Sequence, residues 1–160
     1  MRADTQELIE EHKDHLFAVA FNVCRNAADA EDVVQDAFIA YHTSSKDFED
    51  EEHIKAWLLR VTVNKAVSVT RQLWRRKSVP LDDYMDTLAF EDPQAESLFA
   101  EVMRLPQKQR VAVHLFYYED LSVREVAQVL KISEGAVKTR LSRGRKQLKR
   151  ALKEEWSDES

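Results

Sequence analysis

The sequence predicts an all-α protein: two small helical domains joined by a flexible acidic linker, the second containing a helix-turn-helix. Its 160 residues include only two glycines and three prolines, too few to turn the chain of a many-stranded sheet. Apolar residues recur at helical spacing in several segments, and acidic and basic residues are sorted into separate blocks. A chain of this length allows one ordinary domain or two small ones.

The composition also excludes several classes of protein. No apolar run approaches the roughly 18 residues of a membrane-spanning helix, and the first residues lack the apolar core of a signal peptide. Cys24 is the single cysteine, which excludes an internal disulfide framework and a cysteine-cluster zinc site. We therefore expect a cytoplasmic protein in which Cys24 is a buried thiol, with a redox sensor as the alternative.

Three helices are predicted in the first domain. Asp4 with Glu7, and Asn26 with Asp29, have the spacing of helix N-terminal caps. The first two helices should bury Leu8, His12, Leu16, Val19, Ala20 and Val23, then Val33, Val34, Ala37, Phe38 and Tyr41. After a polar loop from Thr43 to Glu52, a long helix over residues 53–77 should bury Ile54, Trp57, Leu58, Val61, Val69 and Leu73.

The linker and the second domain follow. Residues 78–94 carry two prolines and five acids without a base, which is typical of a linker. A short helix should start at Ala95, and Pro106 suits the first turn of the next helix. Ser122 and Glu125 predict a capping box, residues 131–133 predict a tight turn, and the last helix should run to about Glu155.

The charge distribution indicates two surfaces for a polyanion. Residues 1–52 hold four basic and 14 acidic side chains, whereas residues 53–77 hold seven basic and no acidic ones. Residues 121–153 hold ten basic and two acidic ones. Basic blocks of this density bind polyanions, and acidic blocks bind basic proteins or are simply solvated.

The last helix has the pattern of a DNA-reading helix. At 100° per residue, Val137, Leu141 and Gly144 point inward with Leu148 and Leu152, and Gly144 predicts a close helix contact. A helix, a tight turn and a basic helix predict insertion into the major groove of duplex DNA, with a solvated amphipathic helix as the alternative. The outward residues are Gly135, Thr139, Ser142 and Lys146, flanked by Lys138, Arg143 and Lys149.

Two further helix faces stand out. Asp29, Asp32 and Asp36 share one face with Glu31 and Gln35 beside it, so their mutual repulsion predicts a basic protein partner. The helix dipole is an alternative explanation for Asp29 but not for Asp36. On the third helix, the face formed by Asn64, Ser68, Arg71 and Arg75, with Arg60 beside it, suits a single nucleic-acid strand with unstacked bases. Trp74 suits base stacking and packing equally.

These motifs together resemble one family across nearly the whole chain. The segment Asp29-Ala30-Glu31-Asp32-Val33-Val34-Gln35-Asp36-Ala37-Phe38 resembles the core-binding motif of extracytoplasmic-function (ECF) sigma factors of bacterial RNA polymerase, in the sigma-70 superfamily. Residues 57–71, with Trp57-Leu58-Leu59-Arg60-Val61, Asn64-Lys65-Ala66 and Arg71, resemble the promoter-melting helix of that family. Leu105 to Arg110 and Leu121 to Leu148 resemble its region four, although this chain has Ser68 where the family often has aspartate.

The resemblance implies a function and a division of labour. Residues 1–77 would be region two, 78–94 the linker and 95–160 region four of a factor that directs core RNA polymerase to promoters. It implies no active site and no cofactor, an anti-sigma factor as a partner, and promoter DNA as ligand. The implied sites are the following. Core polymerase would bind Asp29, Glu31, Asp32, Gln35 and Asp36. The minus-ten DNA would bind Phe48, Arg60, Asn64, Ser68, Arg71, Arg75 and Arg76. The minus-thirty-five duplex would bind Gly135, Lys138, Thr139, Ser142, Arg143 and Lys146.

Two other function classes fit parts of the sequence. A stand-alone helix-turn-helix regulator explains residues 121–153 but leaves the acidic helix and the Asn64–Arg75 stripe without a role. A helical metalloenzyme could use the acids of the first domain, and His12 and His15 share a helix, but no facing third ligand is apparent. A further hypothesis is that Asp82, Asp83 and Asp86 of the linker screen the basic faces in the free protein.

Overall fold

A computed structural model describes residues 1–73 and 92–158 of the chain, with side chains to residue 72 and from 92 to 153. Every regular element in these ranges is an α-helix, so the predicted fold class is confirmed. The helices are α1 (Thr5–Cys24), α2 (Ala27–Thr43), α3 (Glu51–Leu73), α4 (Pro93–Arg104), α5 (Gln107–Tyr117), α6 (Val123–Leu130) and α7 (Glu134–Asp158). They form two compact units, the first built on α1–α3 and the second on α4, α5 and α7, with α6 leading into α7.

The two caps predicted in the first unit are present. The Asp4 side chain accepts a hydrogen bond from the Glu7 backbone N–H at 3.2 Å, and Asn26 accepts one from the Asp29 backbone N–H at 2.9 Å. Arg25 ends α1 in the left-handed region at φ 59°, with its N–H donating to the Phe21 carbonyl. The break between α1 and α2 is therefore set by two adjacent residues, one that terminates a helix and one that starts the next.

The core of the first unit follows the predicted stripes of α1 and α2, and every residue of both stripes is buried. On α3 the prediction is partly wrong, because Val61 and Val69 are only half-buried. The face that packs on α1 and α2 consists instead of Ile54, Leu58, Leu59, Thr62, Val63 and Ala66. Docking of α3 on two helices at once fixes its rotation, and the valines scattered around α3 do not reveal this rotation in the sequence.

The first helix of the second unit, predicted to start at Ala95, begins two residues earlier at Pro93. Asp92 caps α4 by accepting a hydrogen bond from the Gln94 N–H at 2.9 Å, and Pro93 occupies the first turn, where a missing N–H costs nothing. Pro106, in contrast, was predicted in the first turn of α5 but is the residue just before this helix. The Leu105 carbonyl accepts a hydrogen bond at 2.9 Å from the buried Arg110 guanidinium, which ties α5 back to the end of α4.

The helix-turn-helix has the predicted local structure. Ser122 and Glu125 form a reciprocal capping box, with hydrogen bonds of 2.9 and 3.1 Å. Lys131 turns the chain at φ 56°, and the Ser133 hydroxyl caps α7 through the Ala136 N–H at 3.0 Å. Gly144 lies against α5, where an added Cβ would meet Val113 Cγ2 at 2.9 Å. The predicted close helix contact at Gly144 is thus confirmed.

Some predictions concern residues outside the described ranges. Trp74, the acidic residues Asp82, Asp83 and Asp86, and most of the predicted linker lie there. Within the ranges that are described, no helix has the length and apolar character needed to cross a membrane.

Candidate nucleic-acid and partner interfaces

The acidic face of α2 is open to solvent. Glu31, Asp32, Gln35 and Asp36 are exposed, and Asp29 is half-buried beside the Asn26 cap. We call Asp29, Glu31, Asp32, Gln35 and Asp36 the acidic ridge. No ion pair within the described residues links these carboxylates to a basic side chain, so the helix dipole offsets the repulsion at Asp29 and solvent alone offsets it farther along α2. The ridge is therefore available to a cationic partner.

An apolar element that the sequence analysis missed continues the ridge. Ile39 lies three residues after Asp36, on the same side of α2, and is 59% exposed. A groove of about 1000 Å³ runs beside it between α1 and α2 and is lined in part by Glu31, Gln35, Phe17 and Ile39. The spacing of Asp32, Asp36 and Ile39 was the available signal, because steps of four and three keep residues on one helix face. The ridge thus combines charge with an accessible apolar surface.

The polar face predicted on α3 is accessible in the part of the helix that the structure describes. Asn64, Ser68 and Arg71 are exposed, and Arg60 is half-buried one turn before Asn64. The face therefore presents an amide, a hydroxyl and a guanidinium in a row, a set that can hydrogen-bond unstacked bases and pair with phosphates. Arg75 and Arg76 lie outside the described residues.

Phe48 requires a correction. The sequence analysis placed it among the DNA-contacting residues, but it is only 2% exposed. Its ring centroid lies 5.7 Å from that of Tyr41 and 5.7 Å from that of Trp57, and 5.1 Å from that of His53. A fully buried aromatic ring cannot stack on a base, so in this conformation Phe48 anchors the 44–50 loop from below. Trp57 is half-buried in the same cluster, in line with the expected core role.

The outward face of α7 is likewise accessible. Gly135, Lys138, Thr139, Arg143 and Lys146 are exposed and Ser142 is half-buried, whereas Val137, Leu141 and Gly144 are buried on the opposite side. The Thr139 hydroxyl donates to the Gly135 carbonyl at 3.0 Å, so it keeps acceptor capacity and its methyl group for a base. This arrangement separates an anchoring side from a cationic reading side along one helix.

One neighbouring basic residue was missed. Arg145 Nη1 donates to the Tyr117 hydroxyl at 3.2 Å, which joins α7 to the end of α5 beside the reading face. Tyr117 and the adjacent Tyr118 are 47% and 52% exposed, and desolvation of the buried part of Tyr118 raises the pKa of its phenol. Periodicity alone assigns Arg145 to solvent, because the tyrosine contact depends on how α5 and α7 pack.

The first unit offers no metal centre in its described part. No group of three or more histidine, cysteine, aspartate or glutamate side chains in the described residues is placed to hold a metal ion. His12 is buried on α1, whereas His15 is exposed. Cys24 is a buried thiol as expected, with its Sγ 3.8 Å from the Ala66 carbonyl oxygen.

Comparison with protein families matches both units. Residues 8–76 match the family model described as sigma-70 region 2, and residues 96–148 match the one described as sigma-70 region 4. The first match contains the acidic ridge and the polar face of α3. The second contains the whole reading face of α7.

Similar proteins cover nearly the full chain. An ECF RNA polymerase sigma factor SigM of Mycobacterium tuberculosis is 32% identical over 149 residues, 91% of this chain and 76% of that protein. The SigE factor of Mycolicibacterium smegmatis is 30% identical over 162 residues, which span 95% of this chain and 63% of the longer relative. Among solved structures, CnrH in complex with the cytosolic domain of CnrY aligns with a TM-score of 0.67 and 27% identity, over 92% of this chain and 86% of that one.

Proposed function

This chain belongs to the ECF group of sigma-70 factors, and from that premise we propose how its surfaces divide the work of promoter-directed transcription initiation. Residues 1–77 act as region two, residues 78–94 as the linker and residues 95–160 as region four. The factor supplies promoter specificity to core RNA polymerase and performs no chemical reaction of its own.

The acidic ridge binds the core enzyme. Exposed carboxylates three and four residues apart match a basic helical partner, and charge complementarity of this kind speeds association and fixes orientation. Ile39 adds an apolar contact at the end of the ridge, where it is free to be covered. The partner is the clamp coiled coil of the largest polymerase subunit, as the family resemblance implies.

The polar face of α3 captures the minus-ten strand. Asn64 and Ser68 can bond the edges of bases that have left the duplex stack, and Arg60 and Arg71 can pair with the phosphates. The 44–50 loop leads into α3 and contacts its first turns, with Phe48 as its buried anchor rather than as a base contact. Unpaired bases are accessible only after the duplex opens, which makes capture a driving force for melting.

The outward face of α7 reads the minus-thirty-five duplex in the major groove. Arg143 and Lys138 can bond guanine edges, Thr139 and Ser142 suit either a base or a phosphate, and Lys146 supplies charge. Gly135 lets the backbone at the start of α7 approach the DNA closely.

The observation that carries this proposal is the accessibility of all three faces on one chain. A stand-alone regulator would need only the α7 face, and the full-length similarity to sigma factors disfavours that alternative. Because the CnrH structure contains the cytosolic domain of CnrY, we also propose that an anti-sigma factor covers the binding faces of this cytoplasmic protein.

The test is run-off transcription with purified core RNA polymerase on a pool of templates with randomised upstream sequence. We expect transcripts only when the protein is present, from templates that share two short conserved elements. The absence of factor-dependent transcripts, together with binding to duplexes without polymerase, would instead identify a stand-alone regulator.

The ridge is tested by the double variant Asp32→Arg with Asp36→Arg. Reversal of two charges should weaken binding to core polymerase by about 100-fold or more while the helical content is retained. Glu10→Arg with Glu11→Arg on α1 changes the net charge equally at exposed positions and is the control. Equal affinity of both double variants for the core enzyme would contradict the assignment of the ridge.

A further inference from the structure

The first three residues of the chain are tied to the loop between α2 and α3. Arg2 donates two hydrogen bonds, from Nη1 to the Lys46 carbonyl and from Nη2 to the Tyr41 carbonyl, each at 3.1 Å. Its guanidinium also lies 4.3 Å from the centroid of the Tyr41 ring. One side chain therefore joins the last turn of α2 to the middle of the 44–50 loop.

Backbone contacts reinforce this connection. The Tyr41 hydroxyl accepts from the Ala3 N–H at 2.8 Å and donates to the Ala3 carbonyl at 2.9 Å. The Phe48 N–H donates to the Met1 carbonyl at 3.1 Å, and the Met1 amino group contacts the Phe48 carbonyl and the Asp47 carboxylate. That hydrogen bond with the Met1 amino group lowers the pKa of the Asp47 carboxyl. The loop is thus held on both sides of Phe48 by residues about forty positions away.

The 44–50 loop itself carries a net negative charge. Residues 44–50 contain three carboxylates, Asp47, Glu49 and Asp50, and a single base, Lys46. All four of these side chains are exposed, so the loop by itself repels a phosphate backbone. Arg2 adds a cation at this place and donates to two carbonyls from two separate nitrogens of its planar fork, a geometry that the single ammonium nitrogen of a lysine does not reproduce.

We propose that Arg2 is a positioning residue for strand capture, because it fixes the shape of the 44–50 loop before DNA arrives. This inference rests on the proposed function of α3 and its neighbouring loop in minus-ten recognition. A loop that is ordered in advance does not lose conformational entropy when it binds, so each captured base contributes more to opening. Arg2 acts through the loop and not by touching DNA.

The experiment compares Arg2→Ala and Arg2→Lys in the full chain. Arg104→Ala is the control, because this exposed arginine of the second unit also loses one hydrogen-bonded partner, Glu101 at 3.0 Å. The first readout is hydrogen exchange of the amides of the 44–50 loop in the free protein. The second is the rate of strand opening by the holoenzyme on a template selected by the unaltered protein, followed by 2-aminopurine fluorescence near the start site.

We expect Arg2→Ala to speed exchange of the Lys46–Phe48 amides by about ten-fold and to slow opening by about five-fold. Arg2→Lys should fall between Arg2→Ala and the unaltered protein in both measurements, since it keeps the charge but not the fork. Affinity for core polymerase and binding to the minus-thirty-five duplex should not change. Arg104→Ala should match the unaltered protein throughout.

Four results would overturn the proposal. Slower opening without faster loop exchange would mean that Arg2 contacts DNA directly, as would full restoration of opening by Arg2→Lys. Faster exchange with normal opening would leave Arg2 a purely structural residue. Unchanged exchange and unchanged opening would remove the role altogether.

Failure of the proposed function itself is recognised separately. Asn64→Ala and Arg71→Ala are measured on the same template, and both should slow opening without changing loop exchange. If these two variants open DNA normally, the assignment of the α3 face is wrong. If they are slow and Arg2→Ala is not, only the inference about Arg2 fails.

Discussion

The two surfaces proposed to read DNA are built in different ways. In the helix-turn-helix, each cap and the turn at Lys131 are closed by hydrogen bonds between residues three to five positions apart. In the first unit, the 44–50 loop has short-range hydrogen bonds as well, from Ser44, Glu49 and Asp50, but it is also held by Met1 and Arg2, which lie 44 to 47 positions away. The duplex-reading helix therefore starts on local contacts alone, whereas the 44–50 loop depends in part on contacts with residues that are distant in sequence.

This difference teaches where each surface is vulnerable. A helix with local caps tolerates changes on its outward side, because its own hydrogen bonds maintain it. A polar loop without regular structure depends on its anchors, and losing one releases several residues at once.

Removing the loop anchor should have the largest effect. Phe48→Ala deletes a ring that is packed among Tyr41, His53 and Trp57, and we expect a loss of about 3–5 kcal/mol in the free energy of unfolding of the first unit. Urea unfolding followed by amide exchange reports on each unit. Phe48→Leu, which keeps most of the volume, should cost about 1 kcal/mol, and protection of α5 and α7 should not change. A loss below about 1 kcal/mol for Phe48→Ala would show that the anchor is dispensable.

In the second unit, Gly144 of α7 lies against α5, a helix that is distant in sequence. Gly144→Val should lower the free energy of unfolding of this unit by about 2 kcal/mol, because a Cβ alone would already lie 2.9 Å from Val113 Cγ2. Gly135→Ala is the matched control, since its Cβ would meet only Ser133 Oγ at 3.9 Å. That control should be neutral or stabilising by about 0.5 kcal/mol. Equal losses for both variants would mean that the contact with α5 is not the cause.

Substitutions on the outward side of α7 should weaken DNA binding without changing the free energy of unfolding. Arg143→Ala should weaken binding to the minus-thirty-five element by about 1–3 kcal/mol and relax the preference at one base pair. Lys146→Ala should weaken binding evenly across sequences and reduce the slope of log affinity against log salt by about 1. Titrations of holoenzyme with duplexes that differ at single base pairs distinguish the two. If Arg143→Ala leaves the base preference unchanged, Arg143 contacts the DNA phosphate backbone and not a base.

Local features of the sequence were sufficient for much of the structure. Caps at Asp4, Asn26 and Ser122 were predictable because each depends on a side chain and an N–H three positions away. The acidic ridge and the inward position of Gly144 were predictable from helical periodicity, because residues three and four positions apart share one face of a helix. The positions of the acidic ridge on α2 and of the inward side of α7 were therefore predictable from the sequence.

The third helix marks where such reasoning ends. Its valines are spread around the helix, so hydropathy favoured Val61, but packing against α1 and α2 buries Thr62, Val63 and Ala66 instead. Exposure of Ile39 shows the same limit, because an apolar residue on an amphipathic helix is ordinarily assigned to the core.

The helical fold class, the capped helix starts at Asp4, Asn26 and Ser122, and the polar faces could be predicted from local sequence, because these depend on interactions within one turn or one helix. Only the tertiary structure decided that Phe48 is an anchor and that Arg2 reaches the Lys46 carbonyl. Contacts between residues some forty positions apart depend on how whole helices dock, and no local pattern encodes that geometry.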